Sequence, residues 1–136
     1  MTVYVFDSSA VLRYFGDEAG SERINAIFTD VVRGLAQMRI AAVQWGEVWG
    51  YLRRRIGAAP AGRALDSLMP LDLEVVSINA ARALRAAELR IDRKIAYADC
   101  FALELAMDSA EHVLVTADYD FKTVTDLARI EFLPAK

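Results

Sequence analysis

The sequence predicts an α/β fold, a three-layer sandwich in which helices cover both faces of a mostly parallel sheet. Three observations predict it. Short apolar runs alternate with stretches of helical periodicity along the whole chain. Two segments, the apolar run Val3-Tyr4-Val5-Phe6 and His112 to Val115, read as buried strands of a parallel sheet. At 136 residues, with no repeat, low-complexity tract or Pro/Gly/Ser linker, the chain fits one domain spanning 1–136.

The elements follow in order. Val3 to Phe6 is a strand closed by Asp7, after which Ser8 or Ser9 can cap a helix from Ala10 to Phe15. A second helix is expected over Ser21–Val32. Arg39 to Val43 is a weaker strand that leads into a helix from Trp45 to Ile56. Pro60 and Pro70 bracket a short helix. Leu73 to Ile78 is a strand, followed by an Ala-rich helix to about Leu89. Tyr97 to Ser109 is helical, His112 to Val115 a buried strand, and Ala128 to Leu133 the last strand.

Composition excludes several classes. Hydrophobic residues make up 55% and charged residues 26%, so the chain buries a core and is not disordered. The opening MTVYVFDSSAVL has no basic segment and is interrupted by Asp7, unlike a signal peptide or membrane span. The lone Cys100 cannot form an internal disulfide and suits a reducing cytoplasm. A net charge of −3 gives no global attraction to nucleic acid, so any such binding rests on local basic patches or on bound metal.

The chemistry-bearing residues are acids. In open α/β sheets ligands sit at the carboxyl ends of the strands, where both Asp7 and Asp118 are expected. Position alone leaves alternatives: Asp7 could be a helix N-cap, and Asp118 could cap the turn Asp118-Tyr-Asp-Phe121. Asp99 has Ile95, Ala96, Ala102, Leu103 and Ala106 as helical neighbours, an inward-packing face on which a carboxylate needs either a cation or a structural Arg partner. Glu104 and Asp108, four residues apart, are expected on a solvated surface. Glu47 lies off the apolar stripe Trp45, Val48, Trp49, Leu52 and Ile56, with Gly46 and Gly50 leaving room beside it, and by itself it is an exposed helix charge. His112 opens a strand and is expected to be structural, and Cys100 to be a small core residue. Asp66-Ser-Leu-Met-Pro70 mimics a phospho-acceptor motif, but no buried strand precedes it.

Four segments, VFDSSAVL, WGEVWGYL, AYADCFALELA and LVTADYDF, together resemble the PIN-domain family, specifically VapC-type toxins of toxin–antitoxin pairs. Each segment alone is weak, but the ordered set is specific and covers nearly the whole chain. The resemblance implies a sheet ordered 3-2-1-4-5. It implies that Asp7, Glu47, Asp99 and Asp118 are catalytic metal-binding acids, with Asp120 a frequent additional ligand and Ser9 and Thr116 supporting hydroxyls. It implies an endoribonuclease dependent on Mg²⁺ or Mn²⁺, whose hard-oxygen chemistry suits a carboxylate cluster, and a VapB-like antitoxin as partner. Arg53, Arg54 and Arg55, with Arg90, Arg93 and Lys94 ahead of the Asp99 helix, are candidates to contact RNA phosphates, Arg54 foremost because it follows Glu47 by two turns on the same face. Tyr14, Phe15, Trp45 and Trp49 are more aromatics than two short helices need, and some are expected at a homodimer surface or an antitoxin groove. The rival readings are a PIN-domain nuclease acting in RNA processing or on DNA without an antitoxin, and a non-catalytic PIN-like binding module.

Overall fold

A computed structural model describes residues 1–136. The strands are β1 (Thr2–Phe6), β2 (Ala36–Ala41), β3 (Glu74–Val76), β4 (His112–Thr116) and β5 (Arg129–Phe132). The helices are α1 (Ser8–Phe15), α2 (Ser21–Val32), α3 (Ala42–Ile56), α4 (Ala58–Asp66), α5 (Ala80–Arg93) and α6 (Tyr97–Ala106), with 3-10 turns at Met69–Leu71 and Tyr119–Val124. All strand pairs are parallel and the order is β3-β2-β1-β4-β5, as the resemblance implied. No helix is long and apolar enough to cross a membrane.

The alternation of side chains along β1 and β4 divides the core. Phe6 and Val115 point into a layer formed with α1 to α4, where Ile24, Ile27, Val48, Leu52 and Leu65 are buried. Val5 and Leu114 point into the opposite layer, against Phe101, Leu103, Leu105 and Phe121. The central strands are therefore apolar on both faces, the pattern that made them recognisable.

Several boundaries differ from expectation. The strand predicted at Arg39–Val43 runs over Ala36–Ala41, and α3 begins at Ala42 rather than Trp45. The cause is tertiary: Gln44 is buried and its amide donates to the Ala98 carbonyl of α6 at 2.6 Å, which fixes that turn as helix. β3 is cut to Glu74–Val76 because its partner β2 ends at Ala41, opposite Val76. α5 runs to Arg93 and stops at Lys94 in the left-handed conformation (φ 57°). α6 ends at Ala106, short of Ser109.

The expectation of a solvated surface is overturned for Glu104, whereas Asp108 is exposed but ion-paired. Glu104 is only 3% exposed and receives Arg82 at 2.9 Å and Arg85 at 3.0 Å across the α5–α6 interface. Asp108 takes Arg82 at 2.7 Å and Arg39 of β2 at 3.2 Å. The partners lie far off in sequence, so helical spacing alone could not show them. His112 completes the cluster as a buried neutral ring. Arg39 can only donate, so Nε2 at 3.1 Å accepts, and Nδ1–H donates to Ser109 Oγ at 2.7 Å. Burial, and then the Arg39 charge, push its pKa down.

Glu104→Ala should cost about 3 kcal/mol, the low end for breaking a buried pair, because Arg82 keeps Asp108. Urea melts measure this. A loss below about 1 kcal/mol, typical of solvated pairs, would contradict the buried role.

Candidate active site

Asp7 ends β1, the middle strand of the sheet, and is 4% exposed. It caps α1 itself, in place of the expected Ser8 or Ser9: its Oδ1 accepts the Ala10 N–H at 3.0 Å. Oδ1 also accepts Ser9 Oγ at 2.7 Å, and Oδ2 accepts Thr116 Oγ1 at 2.5 Å. The two hydroxyls are themselves held, Ser9 Oγ by the Ala117 N–H and Thr116 Oγ1 by the Asp118 N–H, both at 2.9 Å. Each hydroxyl has one proton and spends it on Asp7. Of the carboxylate's roughly four lone pairs, three are used, and one on Oδ2 stays open. Capping and site duty are thus compatible in one residue.

β4 runs beside β1 and delivers Asp118 just beyond Thr116, where its Oδ1 caps the next turn by accepting the Asp120 N–H at 2.9 Å. Glu47, one turn into α3 and exposed, accepts Ser8 Oγ at 3.1 Å. Asp99, in the first turn of α6, is half-buried and receives no hydrogen bond from any donor and no ion pair. Its pKa is pushed up to about 7, first by burial and then by the charges of Asp118, Asp7, Glu47 and Asp120. That mutual influence brings all five acids into one neighbourhood at the carboxyl edge of the sheet. The pKa of Asp7 is pushed up to about 6, because burial outweighs its three hydrogen bonds, with the Asp118 charge adding to the rise.

None of these five acids is paired with a cation. Elsewhere Glu18, Glu74, Glu104, Asp108, Glu111, Asp126 and Glu131 each have an Arg, a Lys or the amino terminus as partner, and the unpaired acids, Asp17, Glu22, Asp30, Asp66, Asp72, Glu88 and Asp92, keep contact with solvent. The donor set is all oxygen, with no His or Cys, which suits a hard ion such as Mg²⁺ or Mn²⁺. The side chains do not converge into a preformed shell, as no three acidic, His or Cys groups close on one point. Repulsion among unpaired carboxylates keeps such a group apart.

The basic candidates separate. Arg53 and Arg54 are exposed on α3 without a partner, and Lys94 is exposed at the end of α5. Arg93 is not free: it grips Asp126 at 2.7 and 3.0 Å and the Thr123 carbonyl at 2.8 Å. Of the four aromatics, Tyr14, Phe15 and Trp45 pack on the core, and Trp49 remains 37% exposed. Gln44 was missed. It braces the helix of Glu47 to the helix of Asp99. The available signal was its place four residues before Val48 and eight before Leu52, a polar side chain on the buried stripe.

The fold and the site define a three-layer domain with an unpaired carboxylate cluster at the carboxyl edge of a parallel sheet. The chain belongs to the PIN-domain family, whose model matches residues 4–127. Among solved structures it is similar to VapBC2 from Rickettsia felis bound to a promoter DNA fragment (TM-score 0.78, 16% identity, 98% of this chain and 100% of that one). It is also similar to Mycobacterium tuberculosis VapC20, described as a sarcin-ricin loop cleaving toxin (TM-score 0.72, 18% identity, 98% and 100%). A toxin–antitoxin complex from Klebsiella pneumoniae matches with a TM-score of 0.70 at 18% identity, over 98% and 99%. At these identities the likeness is one of fold. No curated protein matches the sequence significantly.

Asp99 holds its proton to a higher pH when folded than when unfolded, so metal-free stability falls as pH rises from about 4 through about 7. Asp99→Asn removes that ionisation. In EDTA, the variant should gain on the wild type between these limits by about 1.4 kcal/mol, one pKa unit's worth once the shift is discounted for the solvent that screens a half-exposed carboxylate. Urea melts across pH showing a constant difference would contradict the shifted carboxyl.

Proposed function

We propose that this chain is a divalent-metal-dependent endoribonuclease, the toxin of a VapBC-type pair, acting in the cytoplasm. The observation that carries the reading is the set of carboxylates left without any cationic partner at the carboxyl edge of a PIN-domain sheet. The VapBC and VapC structures that share the fold supply the toxin–antitoxin part of the reading.

In this account Asp7, Asp99 and Asp118 hold the ion, directly or through water, and Asp120 lies beside them. Thr116, Ser9 and the Ala10 N–H fix the Asp7 carboxylate and leave one acceptor position on Oδ2 for the ion. Mg²⁺ or Mn²⁺, when bound, supplies a water of lowered pKa and neutralises charge on the scissile phosphate. Glu47, steadied by Ser8, orients the attacking water or completes a second metal position. No histidine takes part as general base, since both His112 nitrogens are committed elsewhere. Arg53, Arg54 and Lys94 are available to the RNA backbone. A VapB-like antitoxin and a second copy of the chain are the proposed protein partners, with Trp49 the exposed aromatic of its group.

Mn²⁺ or Mg²⁺ should raise the melting temperature, by the equivalent of about 2.7 kcal/mol at a hundred times the dissociation constant. Asp99→Asn should fold, lose that response and lose nearly all metal-dependent RNA cleavage. A well-folded variant that cleaves at the wild-type rate would remove Asp99 from the site.

A further inference from the structure

Four cations sit over tyrosine rings in this structure. Arg23, over Tyr4, is also ion-paired with Glu131. Arg55, Arg90 and Lys122 have no acidic partner. Arg55 belongs to a side groove with Leu12, Phe15 and Glu18. The other two rest on tyrosines that adjoin site acids in the chain: Arg90 lies 5.4 Å from the Tyr97 ring centre, and Tyr97 stands two residues before Asp99. Lys122 lies 4.9 Å from the Tyr119 ring centre, and Tyr119 directly follows Asp118.

Arg93 brings these pairs onto one rim. Its hold on Thr123 and Asp126 pins the last turn of α5 to the 3-10 turn after Asp118. Arg90 lies one turn before Arg93, and Lys122 adjoins Thr123. A cation beside several carboxylates ordinarily collapses onto one of them. Here the tyrosine rings hold both cations through their negative faces, so the charges are not spent on Asp7, Asp99, Asp118 or Asp120.

We propose that Arg90 and Lys122, held on Tyr97 and Tyr119, form the phosphate track that seats the RNA backbone beside the acids, with Arg93 as the clamp that positions the track. The proposal rests on the nuclease reading for the identity of the polyanion. The rings do not act as base-stacking platforms. Tyr97 also packs against Phe101 at 5.0 Å and Tyr119 against Phe132 at 5.6 Å, and the Tyr119 hydroxyl donates to the Leu133 carbonyl. The grip is therefore on phosphate and independent of base identity.

The test measures binding without catalysis, by fluorescence anisotropy of labelled oligouridylate and oligoadenylate in EDTA across a potassium chloride titration. Arg90→Gln and Lys122→Gln should each weaken binding to both oligomers. Each should also flatten the plot of log affinity against log salt by about 0.7, the value for one phosphate contact on a single strand. Arg33→Gln, at the end of α2 and remote from the rim, should change neither. Tyr97→Phe should keep wild-type binding, whereas Tyr97→Leu should mimic Arg90→Gln, with thermal melts confirming folding. Wild-type affinity and slope in both rim variants would overturn the proposal, as would no measurable binding by the wild type at low salt. RNA that is bound through Arg90 and Lys122 but never cleaved with metal would uphold the track and sink the nuclease reading alone.

Discussion

The structure of the site depends on one buried carboxylate, Asp7. It stands at the end of β1, flanked by β2 and β4, and almost all of its surface is removed from water. A carboxylate in that place is costly unless its oxygens are satisfied, and Ser9, Ala10 and Thr116 satisfy them from two different elements. The same bonds start α1, join α1 to the end of β4, and set the direction in which Asp118 leaves the sheet. Fold and site are therefore not separable here, because the interactions that offset the burial of Asp7 are also those that orient the cluster.

Charge is organised in two ways within this small acidic protein. Away from the carboxyl edge, the acids drawn into the packing are matched. Glu104 and Asp108 are locked to Arg82, Arg85 and Arg39, which join α5 and α6 to the sheet. At the carboxyl edge they are left unmatched, and the cations near them are diverted to tyrosine rings or to Asp126. The matched cluster stiffens one layer. The unmatched one carries a standing electrostatic penalty, visible in the raised pKa of Asp99. A site that stores such a penalty is suited to a cation supplied from solution.

Much of this was legible in the sequence, and the limits have physical causes. The central strands announced themselves because burial on both faces leaves Val3–Phe6 and Val113–Val115 almost wholly apolar. Asp99 stood out because its helix face is otherwise apolar, and no arginine pairs with it. What sequence could not supply were contacts made across layers. Gln44, reaching from α3 to α6, moved the start of a helix by three residues. Arg82 and Arg85, reaching from α5, hold Glu104, expected on a solvated surface, in a buried ion pair. Arg93, expected at the RNA, proved to be a bolt between α5 and the turn after Asp118, since its partner Asp126 lies 33 positions away.

The central claim is that the unpaired acids are ligands for a divalent cation. Anomalous diffraction from crystals grown with Mn²⁺ tests it most directly. The account predicts a peak between Asp7, Asp99 and Asp118, about 2.0–2.3 Å from at least one of their carboxylate oxygens and near the open Oδ2 of Asp7. A peak only at the Glu104–Asp108 cluster or elsewhere on the surface, with the edge acids empty at saturating Mn²⁺, would contradict it.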